Sequence, residues 1–197
     1  MISLYAVNIE PLLKPDALQQ AAQKISAPRQ ERAFRLPDIQ GQAQRIAAGL
    51  LLRHLYGTDA VAYEPMGKPF FPYLPEHQFS LSHTDKWVLC ATASIPVGLD
   101  AQMLTPYRPA IARRWFTAEE QRWIESDKDI RFTRLWTHKE AAAKLTGKGL
   151  VPSLGDPPPV FLKEYTDLQS QGVYVTVCAA STVPSCDRIT MLTESLL

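Results

Sequence analysis

Glu140 and Lys144 stand four residues apart in the stretch Trp136-Thr-His-Lys-Glu-Ala-Ala-Ala-Lys144. On a helix that spacing puts a carboxylate and an ammonium on one face, about a turn apart. Alone, the pair reads first as a weak surface ion pair. The alanines at 141, 142 and 143 favour another use, because small side chains let that face approach a second element or a ligand closely, and Trp136 argues for a docked helix. A second carboxylate, Asp100, follows the apolar run Ile95-Pro-Val-Gly-Leu99, where a buried strand is expected to end. That is a position for a metal ligand or a base, and also one that a structural aspartate occupies. The possible partner of Asp100 is Glu140.

Groups that can grip phosphate lie upstream. Arg29, Arg32 and Arg35 recur every third residue, and Arg45 and Arg53 follow. Their guanidinium forks can line one side of a polyphosphate, or simply form a solvated helix face. In Phe79-Ser-Leu-Ser-His83, Ser82 and His83 come at the end of a strand, where a hydroxyl and an imidazole can donate to a phosphate; a plain turn is the bland alternative. They do not read as nucleophile and base, because neighbours on a strand point to opposite faces.

The elements that must carry these groups can be read from the rest of the chain. Its 197 residues, 46% hydrophobic and 21% charged, suffice for one compact domain or two small halves packed together. With 21 basic against 20 acidic residues, the chain lacks the surplus that holds a protein on nucleic acid. Cys90, Cys178 and Cys186 are scattered, which gives neither a disulfide framework nor a metal knuckle and fits a reducing compartment. No signal-like segment opens the chain and the longest apolar run, Ile46 to Leu52, ends at Arg53, so a soluble cytoplasmic protein is expected.

Ile2, Leu4, Ala6 and Ile9 predict a strand, and residues 11–24 a turn and a helix. Helical spacing over 28–56, broken by Pro37, predicts two helices. Val61 and Tyr63 begin a strand entering the turn at 64–69, and 78–94 reads as two strands about a turn at 83–86. Thr117-Ala-Glu-Glu120 is a capping box, and a second helix runs from about Asp129 to Leu145 with Gly147 and Gly149 as stops. Residues 173–180 alternate as a strand. Prolines cluster at 69–75, 106–109 and 152–159 as punctuation. The likeness of Val88-Leu-Cys-Ala-Thr-Ala-Ser94 to Val175-Thr-Val-Cys-Ala-Ala-Ser181 hints at two duplicated αβ halves divided near residue 100.

Taken in order, Gly67-Lys-Pro69, Phe79-Ser-Leu-Ser-His83, Val97-Gly-Leu-Asp100, Phe116-Thr-Ala-Glu-Glu120 and Trp136 through Lys144 to Gly147-Lys-Gly-Leu150 resemble the signatures of the 4'-phosphopantetheinyl transferase superfamily, in its Sfp-type, pseudodimeric branch. The resemblance covers most of the chain. It implies an α+β fold of two similar αβ halves related by a pseudo-twofold, each a small, mostly antiparallel sheet with packed helices, with the active site in the cleft between them. Residues 1–99 would form the coenzyme A nucleotide side and 100–197 the metal and catalytic side. The implied reaction moves the phosphopantetheine arm of coenzyme A to a serine of an apo acyl, peptidyl or aryl carrier protein and releases adenosine 3',5'-bisphosphate.

In that reading Asp100 and Glu140 hold Mg²⁺, or Mn²⁺, Glu140 deprotonates the carrier serine directly or through a metal-bound water, and Lys144 stabilises the leaving phosphate. Arg29, Arg32 and His83 would take the ribose 3'-phosphate, and Lys68 and Ser82 would line the nucleotide, with Lys144 on its phosphates. Carriers would dock on residues 108–123, where Arg113, Arg114 and Arg122 can meet an acidic helix. A monomer is expected, with no nucleic acid or membrane partner. One position departs from the family pattern: Gln102 stands where a third acidic metal ligand is usual, so it offers at most a carbonyl oxygen and the site has one negative charge fewer. A catalytically impaired relative that binds coenzyme A or carriers is the rival reading, and a single-domain metal-dependent phosphohydrolase is a third.

Overall fold

A computed structural model describes residues 1–149, 161–181 and 186–192. The proline cluster at 152–159 and Leu150 of the last motif lie outside the described residues.

Strand β1 (Ile2–Asn8) leads through a short 3₁₀ turn to helix α1 (Pro15–Ala22), followed by α2 (Ala27–Phe34) and α3 (Ile39–Tyr56). As the proline predicts, the break between α2 and α3 falls at Pro37. Asp38 then caps α3 by accepting from the Gly41 amide at 2.7 Å. Two short strands, β2 (Ala62–Tyr63) and β3 (Pro69–Phe70), pair as a hairpin, and β4 (Gln78–Thr84) and β5 (Trp87–Ala93) form the next. The chain continues through β6 (Val97–Met103), α4 (Pro109–Trp115), α5 (Ala118–Ile124) and α6 (Lys128–Thr146), then β7 (Leu162–Tyr165), β8 (Val173–Ala179) and β9 (Thr190–Met191).

The first sheet has the order β4-β5-β1-β9, antiparallel except for the β1–β9 edge, and the second is β6-β8-β7, antiparallel throughout. The resembling segments at 88–94 and 175–181 supply the interior strands β5 and β8. Strand β6 spans the expected boundary at residue 99/100 and pairs along its whole length with β8.

Period-two alternation assigns the two faces. Val7, Val88 and Cys90 pack on α1 and α3 with Leu18, Ile46 and Leu51, whereas Ile2, Leu4, Ala6, Leu89 and Ala91 share a core with Leu99, Ala101, Val175 and Val177 of the second sheet. The far side of that sheet receives α6, whose Thr137 hydroxyl lies 3.3 Å from that of Thr176 on β8. Phe132 of α6 is wrapped by Ala112, Phe116 and Ile124 from α4 and α5. Both bonds of the capping box at Thr117 and Glu120 are made. Glu120 also holds the buried Lys139 ammonium at 3.0 Å, tying α5 to α6. No helix among the described residues is long and apolar enough to cross a membrane.

Candidate active site

The site is built where β4, β6 and α6 meet. Asp100 does not end its strand as expected; it sits at the middle of β6, opposite Thr176, because Ala101-Gln-Met103 keep their register with β8. The edge of β6 meets the edge of β4 through side chains. Ser80 Oγ accepts from the Leu99 amide at 2.9 Å, Ser82 Oγ from Ala101 at 3.1 Å and Thr84 Oγ1 from Met103 at 3.0 Å. These alternate hydroxyls replace a backbone ladder and set Ser82 beside Asp100.

Ser82 is fully engaged. Besides accepting from Ala101, its hydroxyl donates to Asp100 Oδ1 at 3.0 Å and accepts from Lys144 Nζ at 3.0 Å. A hydroxyl offers one donor and two acceptor sites, and all are used. Lys144 also donates to Asp100 Oδ1 at 2.7 Å, and Gln102 Nε2 donates to Oδ2 at 3.1 Å. Asp100 is 2% exposed. It is thus a buried carboxylate held by one ammonium and by two uncharged donors, a hydroxyl and an amide.

Lys144 therefore pairs with Asp100. Glu140, one turn back on α6, faces the same cavity as Lys144. Burial pushes its carboxyl up to about 7, the Asp100 charge adds to the rise, and Lys144 opposes it. The cavity, about 280 Å³, is lined on one side by Glu140, Ala143 and Lys144 and on the other by Lys68, Phe79 and Leu81. The helix gets this close because Gly98 leaves room: a Cβ there would lie 2.0 Å from the Ala141 carbonyl oxygen.

Other expected residues fall nearby or apart. Ser82 is buried and His83 exposed, as opposite faces require. The charges of Lys144, Arg45 and Asp100 all reach His83, which makes Arg45 a site neighbour that the arginine spacing flagged without assigning. Lys68 borders the cavity, but its ammonium donates to the Leu145 carbonyl at 2.9 Å. Arg29 and Arg32 line a separate cavity of about 210 Å³ with Asp59 and Tyr63. Arg29 Nε donates to the Asp59 carbonyl at 3.1 Å, its Nη2 is buried with no hydrogen-bond partner among the described residues, and Arg32 lies 3.9 Å over the Tyr63 ring. Arg35 instead pairs with Glu31 on the surface.

Among the described residues there is no cluster of three or more His, Cys, Asp or Glu side chains arranged for a metal. Asp100 and Glu140 nevertheless fit a Mg²⁺-type ion, which needs only one or two carboxylates with water and phosphate oxygens. Two carboxylates close enough to raise the Glu140 pKa are also relieved by a divalent cation. Gln102 turns its NH₂ toward Asp100, so its carbonyl is not the atom facing that carboxylate.

The comparisons agree with the motifs. The family model of the 4'-phosphopantetheinyl transferase superfamily matches residues 96–184, which include β6, α6 and β8. The chain is 30% identical over 164 residues to 4'-phosphopantetheinyl transferase psf-1 of Bacillus pumilus, covering 76% of this chain and 70% of that relative. It is 29% identical over 161 residues to 4'-phosphopantetheinyl transferase Sfp of Bacillus subtilis strain 168, covering 76% and 72%. With 4'-phosphopantetheinyl transferase HetI of Nostoc it shares 30% over 159 residues, covering 71% and 67%. The identities and the lengths covered place this chain in the 4'-phosphopantetheinyl transferase superfamily, in its Sfp-type branch.

Proposed function

We propose that the chain transfers the 4'-phosphopantetheine arm of coenzyme A to a serine hydroxyl of an apo acyl or peptidyl carrier protein, with Mg²⁺, and releases adenosine 3',5'-bisphosphate. One observation carries this reading: the Glu140 carboxyl shares a cavity wall with the Lys144 ammonium, which is bonded to the buried Asp100. A carboxylate at the cavity wall beside the ammonium is placed to take the proton of an incoming hydroxyl.

Glu140 accepts the proton of the carrier serine as its oxygen bonds to the phosphorus bearing the pantetheine arm. The bond from that phosphorus to the bridging oxygen breaks, and the electron pair leaves with the adenosine bisphosphate. Lys144 uses two N–H groups on Asp100 and Ser82, which leaves the third for the departing phosphate. Asp100 and Glu140 would hold Mg²⁺, with Gln102 beside them, and the ion when bound neutralises pyrophosphate charge as a Lewis acid.

Arg29 and Arg32, with the exposed His83 and Arg45, are the groups suited to the 3'-phosphate. Arg29 Nη2, which has no hydrogen-bond partner among the described residues, supports that assignment. We take residues 1–99 as the nucleotide side and 100–197 as the metal and catalytic side of two related halves meeting at this cleft, in a monomer. The exposed Arg113, Arg114 and Arg122 on α4 and α5 suit an acidic carrier helix.

The test is a panel of apo carrier proteins incubated with coenzyme A and Mg²⁺, read by intact mass and by chromatography of the nucleotide. Addition of one phosphopantetheine with matching release of adenosine 3',5'-bisphosphate is expected. Binding of coenzyme A with no loading of any carrier would instead support the impaired, binding-only reading that Gln102 raises.

A further inference from the structure

Lys68 is delivered to the site by a closed turn rather than a free loop. The Gly67 amide donates to the Glu64 carbonyl at 2.8 Å, the Glu64 amide donates to the Lys68 carbonyl at 2.9 Å, and β2 and β3 pair immediately beyond. Gly67 has φ +90°, which a side chain there would strain. The direction of the Lys68 side chain is therefore fixed by backbone bonds on both sides of it.

The end of α6 is where that side chain lands. Lys68 Nζ donates to the carbonyl of Leu145 at 2.9 Å, across 77 residues of sequence. Leu145 lies in the last turn, before the left-handed Gly147 cap, and carbonyls of a last turn have no partner within their helix. An ammonium there satisfies an orphan acceptor and meets the negative end of the helix dipole. Contacts on the neighbouring glycines show how tightly the turn wraps this end. A Cβ on Gly147 would fall 2.2 Å from Glu64 Oε2 and 3.3 Å from Lys68 Cδ, and one on Gly149 would fall 2.8 Å from Met66 Cε. Both glycines also have positive φ.

The carbonyl that Lys68 holds belongs to the residue after Lys144. The last turn of α6 is thus pinned from two directions, by Lys144 to Asp100 and Ser82 on one side and by Lys68 to Leu145 on the other. We infer that Lys68 is a positioning residue: its ammonium latches the 64–68 turn to the C-terminal end of α6 and so keeps Lys144 and Glu140 in register with Asp100, rather than gripping the nucleotide. The catalytic part of this inference rests on the proposed transfer reaction; the latch itself does not.

The experiment compares the wild type with Lys68→Met, which keeps the apolar stem and removes the charge, and Lys68→Arg, which retains a donor. Amide hydrogen exchange is followed without ligand, and coenzyme A affinity is measured by calorimetry. Lys68→Met should lower protection of the amides from Ala142 to Gly147 about tenfold, as loss of a charge-assisted helix cap does. The interior strand β5 should keep its protection, and the dissociation constant for coenzyme A should stay within about threefold, since truncation then removes no ligand contact. Lys68→Arg should restore protection. If the wild type loads a carrier, Lys68→Met should lower kcat with little change in the coenzyme A KM. Unchanged protection in α6 together with weakened coenzyme A binding would overturn the latch and return Lys68 to the nucleotide. Loss of protection throughout the chain would also overturn it, because Lys68 would then be a general stabiliser. The exchange arm needs no substrate, so it stands or falls independently of the transfer reaction.

Discussion

Replacing Gly98 by alanine tests how closely the site depends on one backbone approach. A Cβ at 98 would meet the Ala141 carbonyl oxygen at 2.0 Å, the Leu145 amide nitrogen at 2.5 Å and the Leu145 Cα at 2.9 Å. All three are backbone atoms of α6, so no side chain can swing aside. Bringing the 2.0 Å contact out to an ordinary approach of about 3.4 Å moves the helix by roughly 1.4 Å from β6. Lys144 lies between the two contact points and its bond to Asp100 is 2.7 Å long, so a shift of that size takes it out of hydrogen-bond range. Overpacking of this kind costs about 1–3 kcal/mol, and a misplacement of about 1 Å at a reacting centre costs about a hundredfold in rate. Gly98→Ala should therefore melt lower by about 2–12 °C, at roughly 2–4 °C per kcal/mol for a chain of this size. It should also load a carrier about a hundredfold more slowly, with a smaller change in coenzyme A affinity. Melting by circular dichroism and a loading time course by intact mass read both quantities. A variant with the wild-type melting temperature and rate would refute the claim that this contact sets the site.

The raised Glu140 pKa predicts a pH-dependent stability. A carboxyl raised in the folded state favours folding while protonated, and that advantage is lost as pH rises from about 4.5 through about 7. In chelator, Glu140→Gln should then gain up to about 3 kcal/mol over the wild type at pH 8 and almost nothing at pH 4.5, as denaturant titrations at the two pH values would show. Gln102→Glu adds a carboxylate beside Asp100 and should lower the Mg²⁺ concentration for half-maximal rate with a smaller effect on the maximal rate; identical metal titrations would remove Gln102 from the metal's surroundings. Reversing the charges of Arg113 and Arg114 should raise the carrier KM and leave the coenzyme A KM alone, and an unchanged carrier KM would count against docking there.

Local signals were the legible part of this chain. Pro37, the capping box at Thr117 and the stop at Gly147 mark helix ends through backbone chemistry that neighbouring residues determine, and the structure places those ends there. The spacing of Glu140 and Lys144 likewise put both on one cavity wall. What stayed hidden depends on long-range approach. The pairing of Lys144 with Asp100 rather than Glu140 requires α6 to cross β6 at Gly98, and the sequence offers only the small residue as a trace. Ser80, Ser82 and Thr84 alternate in a pattern that signals a polar strand edge, yet nothing local says that β6 takes those hydroxyls. Strand β7 carries Lys163 and Glu164, and Glu164 is claimed by Arg134 and His138 of α6, so charges masked its strand character. In sequence Arg29 reads equally as a polyphosphate ligand and as part of a solvated helix face; nothing local says that its stem packs over Gly49 of α3 and its head turns to Asp59.

In the proposed reaction Asp100, Glu140 and Lys144 form one transfer centre. Its most direct test is intact-mass analysis of an apo carrier protein under single-turnover conditions with coenzyme A and Mg²⁺, using the wild type, Asp100→Ala and Glu140→Ala, each checked for a native circular dichroism spectrum. One phosphopantetheine is expected on the carrier serine with the wild type, none with either variant, and none with the wild type in excess chelator. Loading by folded Glu140→Ala at the wild-type rate, or full loading in chelator, would contradict that expectation.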